Sequence, residues 1–427
     1  MSAKVTLQTF SLDRLFENED GELNIPDYQR TYCWLPKNVY KLLDDIWNVD
    51  EEYHMGSIIL QNKEGKLNII DGQQRLVTLT LILNELGDKS LPLLSQKIES
   101  TEAKDYIAYN KFLISNYIKR FNLSKNLKTE KIQNIRRNLK FAVLSLTDSS
   151  LDLAYTFFSS QNSKGVKLTS YDLLKSHHLH FIPNEKQAMH MAKQWNKILS
   201  DNSNKVSEER VETTLGTYLF RMRKWFYNGD WNEESTFRVK EEFESALIIP
   251  EIPPFGEQFK FNEPIQGGTH FFAYVNHFIN RCKEFHQTKA YQSLKKIDGE
   301  SHKWFRSVME SLLFAYYLKF DDSYMAEALF CISKIVSQQR YEKKRIEEMD
   351  IVKNHRNSML MRFLDQATSP TFFLASVRNE YNKMENLSRA SAPIMGRYTN
   401  RLNSCLHDIC KNMISETVIK DYENYGY

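Results

Sequence analysis

The chain of 427 residues is 41% hydrophobic and 26% charged, which suffices for a buried core, and its length predicts roughly two or three domains. Its 57 basic and 54 acidic residues give a formal net charge of +3, which excludes a global attraction to nucleic acid, so any such affinity must come from local basic clusters. No apolar run approaches the length of a membrane helix, about 18 residues, and five scattered cysteines without a leader-like first segment predict a reduced, cytoplasmic protein.

The first part of the chain alternates between short strands and helices. Residues 23–34, LNIPDYQRTYCW, are predicted to form a strand, Pro36 to begin a helix, and residues 54–60 to form a second strand. Residues 67–70 follow the turn-like residues 62–65, so they are predicted to form the second strand of a hairpin.

A polar string, Asp71-Gly72-Gln73-Gln74-Arg75, abruptly ends this hairpin. Apolar residues then recur at spacings of three and four, which predicts a helix packed on a core: Leu76, Leu79, Leu83 and Leu86. The string therefore lies on a strand-to-helix turn, where the first backbone N–H groups lack intrahelical partners and the helix dipole adds partial positive charge. Such a turn favours the binding of an anion.

Each residue of this turn has a predicted task. Gly72 would let the backbone approach a ligand, and Arg75 would offer a planar fork to phosphate oxygens. The amides of Gln73 and Gln74 would contact a base or sugar, or orient a water molecule, and Asp71 would cap the helix or hold Mg²⁺. A purely structural interpretation has equal weight: Asp71 caps the helix, and Arg75 pairs with a neighbouring acid.

A basic cluster lies between residues 110 and 140, where nine basic residues accompany the single acid Glu130. Asn, Tyr and Phe residues are interleaved with them. The pattern predicts a helical hairpin with a basic face that binds DNA phosphates, although a solvated helix face explains it nearly as well. The candidate DNA-binding residues are Lys119, Arg120, Lys131, Arg136 and Arg137.

Beyond residue 90 strand patterns nearly vanish, so the predicted fold class is α+β, a small α/β domain followed by a large helical region. Four of the ten prolines lie between residues 248 and 268, which predicts a connector. The predicted divisions are an N-terminal domain at 1–95, a helical region at 96–247, the connector at 248–268 and a helical C-terminal domain at 269–427.

Two further polar strings interrupt the apolar pattern. One lies in the extended segment that ends on Trp34. The other, within residues 157–176, joins two predicted helices, with Thr169 or Ser170 able to cap the second helix and Asp172 in its first turn. The polar and small residues of these strings are further candidates: Tyr28, Gln29, Arg30, Asn162, Lys164 and Gly165.

Together these strings form a specific signature that resembles the N-terminal domain of GmrSD-type modification-dependent restriction endonucleases. The resemblance covers about residues 8–180 and is essentially complete at the string from Asp71 to Arg75. In chain order the motifs are IPxYQRxYxW from Ile25, GSI from Gly56, DGQQRLxTL from Asp71 and NxxGxxLxxxDL from Asn162.

This resemblance implies a ParB/sulfiredoxin-like fold that binds a nucleoside triphosphate and acts in defence against phage or other foreign DNA, often DNA with modified bases. It implies catalytic roles for Asp71, Gln73, Gln74 and Arg75, with Mg²⁺ held by Asp71. It also implies nucleotide contacts from a larger set, in which Arg30 completes a charge clamp: Tyr28, Gln29, Arg30, Gly56, Ser57, Gly72, Thr78, Asn162, Lys164 and Gly165.

The chain departs from the fused members of this family, which carry a C-terminal HNH nuclease with two histidines and an asparagine on a compact ββα unit. The nearest string here, NHRN at residues 354–357, lacks the strand context. HHLH at 177–180 is predicted to belong to the surface or core of a helix rather than to a metal site. CLHDIC at 405–410 offers three potential ligands at a spacing unusual for zinc, so no zinc site is predicted there either.

The leading hypothesis is therefore an NTP-hydrolysing, DNA-sensing subunit that activates a separate nuclease. One alternative is a ParB-like switch in which nucleotide gates DNA binding without significant hydrolysis. Another is a self-sufficient nuclease, against which the lack of a compact acid–acid–lysine arrangement argues. The sequence leaves open whether the chain forms a homo-oligomer.

Overall fold

The computed structural model describes residues 4–17, 21–26, 29, 31–63, 65–89, 91–96, 101–147, 169–182, 184–200, 211–227, 239–244, 259–299, 302–343, 345–383 and 393–413. The chain divides into two compact units. Unit 1 consists of Met1–Lys205 and Gly267–Phe272, and unit 2 consists of Val206–Gln266 and Ala273–Tyr427. This division into two units does not test the four domain ranges predicted from the sequence, which stay predictions.

Unit 1 combines five strands with helices, which confirms the α+β class. Its elements in chain order are β1 (Lys4–Ser11), α1 (Leu12–Phe16), β2 (Glu22–Asn24), α2 (Pro36–Ile46), β3 (Tyr53–Lys63), β4 (Lys66–Asp71), α3 (Gln73–Leu86), a 3₁₀ turn (Pro92–Ser95), α4 (Thr101–Lys119), α5 (Lys125–Asn138), β5 (Leu139–Thr147), α6 (Ser170–His180) and α7 (Glu185–Ser200).

The strands form one mixed sheet in the order β1-β5-β3-β4-β2. Strands β3 and β4 pair antiparallel as the predicted hairpin, and β3 also pairs parallel with β5. The pairing of β3 with β5 shifts its register between His54 and Ser57. This irregularity bends β3 beside the end of β4, so it lies next to the start of α3.

Two predictions about strands are wrong. Strand patterns were expected nearly to vanish beyond residue 90, and residues 139–147 were not predicted as a strand, yet β5 lies between β1 and β3 in the sheet. Buried and less buried residues alternate along the first part of β5, where Leu139, Phe141 and Val143 are buried. This strand pattern follows the basic helix α5 without a break, so it is hard to distinguish from the helical pattern in the sequence. Residues 23–34 were expected to form one strand, yet strand pairing ends at Asn24, because Pro26 cannot donate a ladder hydrogen bond.

Helix α3 lies inside the core of unit 1. Every residue from Leu76 to Leu83 is buried. This part of the helix is therefore packed on all sides and has no solvent-facing polar side. Its apolar side chains join those of the sheet and of α2 in one cluster that includes Ile58, Leu60 and Ile69. The first turn of α3 is therefore held in a fixed position relative to β3 and β4.

In the described part of unit 2 all the regular secondary structure is helical. Its elements are a π-helix (Glu212–Leu219), α8 (Phe220–Tyr227), α9 (Val239–Glu244), α10 (Thr269–Gln287), whose first turn is counted with unit 1, α11 (Lys289–Leu294), α12 (Lys303–Phe320), α13 (Met325–Glu342), α14 (Glu348–Val352), α15 (His355–Gln366), α16 (Pro370–Tyr381) and α17 (Pro393–Met413). None of the helices in the described ranges has the length and hydropathy of a membrane span.

The NHRN string of residues 354–357 lies at the start of α15. The Asn354 side chain accepts a hydrogen bond from the Arg356 N–H as the N-cap, and the Asn357 amide donates to the carbonyls of Ile351 and Val352. Asn354 therefore stabilises the start of α15, and Asn357 satisfies carbonyls at the end of α14.

Candidate functional site

Arg75 connects the bend of β3 to the first turn of α3. Its Nη1 donates to the Met55 carbonyl and its Nη2 to the Ser57 carbonyl, each at 2.5 Å. Between these two carbonyls lies Gly56, whose φ of +90° is a left-handed conformation that favours glycine. A Cβ at Gly56 would lie 3.1 Å from Arg75 Nη1, so the guanidinium packs directly against this glycine.

Gly72 is the N-cap residue of α3 and has a φ of +95°. A Cβ at this position would lie 2.3 Å from Ile58 Cγ2 and 3.6 Å from Arg75 Nη2. The backbone conformation and the contact with Ile58 thus require a glycine here. This reason differs from the predicted one, which was the close approach of a ligand to the backbone.

Asp71 does not cap α3, although capping was one of its two predicted tasks. In the described part of the chain no side chain caps this helix start. The Asp71 carboxylate lies 3.8 Å from Arg75 Nη2 and remains 41% exposed. Burial lowers the pKa of Arg75, and the charge of Asp71 acts to raise it. A long contact between partly exposed groups is a weak ion pair, so it leaves the carboxylate oxygens open to solvent.

Gln74, a predicted catalytic residue, is buried and uses both ends of its amide. Its Oε1 accepts a hydrogen bond from the Cys33 N–H at 2.9 Å, and its Nε2 donates to the Thr31 carbonyl at 3.2 Å. These bonds attach the segment before α2 to α3. They satisfy backbone groups that a strand partner would otherwise satisfy.

Thr78, a predicted nucleotide contact, is buried one turn further along α3. The hydroxyl groups of Thr78 and Tyr32 lie 2.9 Å apart, and Asn110 donates to the Tyr32 hydroxyl at 3.1 Å and to the Trp34 carbonyl at 2.8 Å. Asn110 was not predicted here. A polar residue in the core-facing position of α4 was its only signal in the sequence.

Gln29, in the first motif, lies next to the turn, and Lys175, two residues after the third motif, contacts Gln29. The Gln29 amide donates to the Ile70 carbonyl at 2.6 Å, just before Asp71. Lys175, on α6, donates to the Gln29 carbonyl at 3.4 Å and to Asn196 Oδ1 at 2.9 Å, and its side chain is almost fully buried. A chain of contacts therefore joins β4, the segment around Gln29 and α6.

Lys175 was missed by the sequence analysis. It lies four residues before Leu179, which is buried, so it occupies the apolar stripe of α6. A lysine in such a stripe is the signal that could have identified it, because buried lysines are rare without a partner. The start of α6 follows the prediction, since Thr169 caps the helix and forms a capping box with Asp172.

The other predicted residues divide into two groups. Ser57 is exposed beside the Arg75 guanidinium, and Gln73 is buried in the first turn of α3. Five predicted contacts lie outside the described residues: Tyr28, Arg30, Asn162, Lys164 and Gly165. Among the candidates of the first and third motifs, the structure therefore describes Gln29 alone.

The basic segment forms the predicted helical hairpin, α4 and α5. Arg136 contacts three acids, Asp13, Glu17 and Asp88, at 2.9, 2.9 and 3.1 Å, and is only 12% exposed. Its guanidinium is thus engaged within the fold and is poorly placed for DNA phosphates. Lys131 donates to the Trp47 carbonyl and lies over its ring.

The remaining three DNA-binding candidates of the hairpin are exposed: Lys119, Arg120 and Arg137. Lys119 and Arg120 lie where α4 ends and the chain turns toward α5, whereas Arg137 lies near the end of α5. Exposure is what a phosphate contact requires.

The described residues contain no group of three or more His, Cys, Asp or Glu side chains that could hold a metal ion. His178, within the HHLH string, instead stacks on the Phe271 ring with centroids 3.7 Å apart. A cation bound at the α3 turn would be coordinated by the Asp71 carboxylate and by oxygens of a bound ligand or of water. Mg²⁺ prefers oxygen ligands of this kind.

Residues 12–179 match the family model described as GmrSD restriction endonuclease, N-terminal domain, and residues 250–391 match a family of unknown function, DUF7834. No curated protein matches the chain. The first match contains the bend of β3, the 71–75 turn and nearly all of α6, and it indicates a part in a GmrSD-type restriction system. The family predicted from the motifs is confirmed over these residues, and residues 12–179 are a GmrSD restriction endonuclease N-terminal domain.

Proposed function

We propose that the chain is the NTP-binding and NTP-hydrolysing, DNA-sensing subunit of a GmrSD-like restriction or anti-phage system in the cytoplasm. In this proposal it activates a separately encoded nuclease. The observation that carries it is the arrangement at the start of α3, where a helix N-terminus without a side-chain cap meets the Arg75 guanidinium and an exposed carboxylate. The family resemblance adds a ParB/sulfiredoxin-like fold to the proposal.

Positive charge at this turn supports binding of a triphosphate. The helix dipole and the N–H groups of the first turn of α3 favour an anion. The two hydrogen bonds of Arg75 to β3 use only part of its N–H donors, so the guanidinium keeps donors for a phosphate oxygen. Lys175 adds a buried cation beside Gln29.

Asp71 and Gln73 are the proposed hydrolytic residues. Asp71 would hold Mg²⁺ together with phosphate oxygens and water, and the metal would neutralise phosphate charge. Gln73 would orient the water that attacks the terminal phosphorus, so that the bond to the leaving diphosphate breaks and inorganic phosphate is released. The proposal assigns this task to Gln73 because Gln73 is the first residue of α3, at the helix start where the phosphates are proposed to bind.

DNA sensing is assigned to the exposed part of the basic hairpin. Lys119, Arg120 and Arg137 would contact phosphates, which would add salt-dependent affinity with little dependence on base sequence. The proposal omits Arg136 and Lys131, because ion pairs and a ring contact within the fold engage them.

Release of inorganic phosphate tests the proposal against its nearest alternative, a ParB-like switch without hydrolysis. The purified chain is incubated with each common NTP and Mg²⁺, with and without DNA. We expect phosphate release with at least one NTP and a change of rate when DNA is added. Tight nucleotide binding that changes DNA affinity without any phosphate release would favour the switch instead.

A further inference from the structure

Unit 2 contains a cavity of about 310 Å³ between α13 and α16. This volume lies at the small end of the range for sites of small organic ligands, about 300–1,000 Å³. Leu374 and Val377 supply apolar wall, and Ala375 leaves space because its side chain is small. The cavity lies within the region that matches the family of unknown function.

Aromatic rings and cations both line this cavity. Lys334 is only 4% exposed, and its Nζ lies 5.1 Å from the centroid of the Phe330 ring and 5.7 Å from that of Tyr381. Arg378 lines the same cavity from α16. The two rings offer flat apolar faces beside fixed positive charge, an arrangement that suits a planar group carrying an anion.

Among the described residues that line the cavity, Lys334 and Arg378 carry positive charge and Glu327 carries negative charge. The pKa of Cys331, which also lines the cavity, depends on these charges. Burial raises this pKa to about 12; the positive charges of Arg378 and Lys334 act to lower it, and the negative charge of Glu327 acts to raise it. A thiol with such a pKa stays protonated and is a poor nucleophile at neutral pH. The cavity is therefore suited to binding rather than to thiol chemistry.

We infer that this cavity binds a small aromatic monoanion, with its carboxylate or equivalent acidic group toward Lys334 and Arg378 and its ring against Phe330 and Tyr381. The charge of the wall disfavours a cation of the same shape, because like charges repel at short distance in a partly buried site. The inference concerns unit 2 alone and does not depend on nucleotide binding at the α3 turn.

The test uses three probes that share one ring system and differ in charge: naphthalene-2-carboxylate, 2-naphthamide and (naphthalen-2-yl)methylammonium. Titration calorimetry with the full chain at neutral pH measures each affinity. We expect the carboxylate to bind at least tenfold more tightly than the amide, and the ammonium to bind most weakly. Absence of carboxylate binding, or equal affinity for all three probes, would overturn the inference.

Variants then locate the site. Lys334→Met keeps the length of the side chain and should weaken carboxylate binding at least tenfold, with little effect on the amide. Arg378→Gln, at an exposed position, should act in the same direction, and Ala375→Phe should block both probes. Arg362→Gln removes an exposed charge that does not line the cavity and serves as the control.

Melting curves for every variant establish that the protein is folded. Should Lys334→Met fail to fold, the exposed positions Arg378 and Ala375 still decide the question. Carboxylate binding that survives in folded Ala375→Phe, or that falls equally in Arg362→Gln, would contradict the inference.

Discussion

Asp71, at the end of β4, and Arg75, in the first turn of α3, lie close together, but their side chains have different partners. Arg75 binds the carbonyls of Met55 and Ser57 and so contributes to the fold, whereas among the described residues the Asp71 side chain has only the long contact with Arg75. A substitution at Asp71 should therefore disturb the structure little. The two residues can be used to separate stability from function at the same turn.

Replacement of Asp71 by Asn is predicted to abolish phosphate release while triphosphate affinity stays equal or rises. The reason is that the change removes a negative charge beside the phosphates and also removes the proposed metal ligand. Phosphate release and titration calorimetry on the same preparation measure the two effects. Wild-type turnover in the Asp71→Asn protein would remove Asp71 from the mechanism.

Replacement of Gln74 by Leu is predicted to lower the free energy of unfolding by roughly 1–3 kcal/mol, because a buried backbone donor at Cys33 and an acceptor at Thr31 lose their partner. Denaturant unfolding measures this. Gln73→Leu is the matched comparison, for which we predict loss of turnover. If Gln74→Leu keeps full stability but loses turnover, the structural role assigned to Gln74 is wrong.

At the scale of elements, α5 carries two adjacent arginines with different surroundings. Arg137→Ala is predicted to weaken DNA binding and to reduce the slope of log affinity against log salt by about 1, the share of one phosphate contact. Its stability should not change, since Arg137 is exposed. Binding to a mixed-sequence duplex at several salt concentrations measures the slope, and an unchanged slope would make Arg137 part of a solvated face.

Arg136→Ala is the matched variant and should behave in the opposite way. Loss of its contacts to Asp13, Glu17 and Asp88 is predicted to lower the free energy of unfolding by roughly 1–3 kcal/mol. The salt slope of DNA binding in the folded fraction should stay as in the wild type. A lower slope with normal stability would return Arg136 to the set of DNA contacts.

The elements predicted best were those with local signals. The helix from Pro36, the β3–β4 hairpin and the Thr169 cap each follow from a residue type at a defined position. β5 was missed because its partners, β1 and β3, are far away in the chain. The strand predicted for residues 23–34 failed for a similar reason, since the side chains of Gln74 and Asn110 take the place of a neighbouring strand there.

At the candidate site, the turn from strand to helix was predicted, but the contacts of its side chains were not. The turn between β4 and α3 was identified from the string 71–75, and Gln29 does lie beside it. No local pattern indicated that Arg75 would bind the bend of β3, that Gln74 would bind the segment before α2, or that Lys175 would reach Gln29. Such contacts depend on how distant elements pack.

At the scale of the whole molecule, the proposal requires a nuclease outside this chain. We predict that the purified chain, incubated with plasmid DNA, Mg²⁺ and NTP, leaves the plasmid uncut. Gel electrophoresis of the plasmid measures this, with a commercial nuclease as the positive control. Cleavage that disappears when the chain is removed with an antibody would instead make it a self-sufficient nuclease.

The central claim is that a triphosphate binds at the start of α3 beside Arg75. Titration calorimetry with slowly hydrolysed analogues of the common NTPs tests it most directly, on wild type, Arg75→Ala and Arg75→Lys, with a melting curve for each. Loss of a hydrogen bond to a charged group costs about 1.5–3 kcal/mol, so we predict that Arg75→Ala binds roughly ten- to a hundredfold more weakly, with Arg75→Lys between it and the wild type. Equal affinity of the wild type and well-folded Arg75→Ala would contradict the claim.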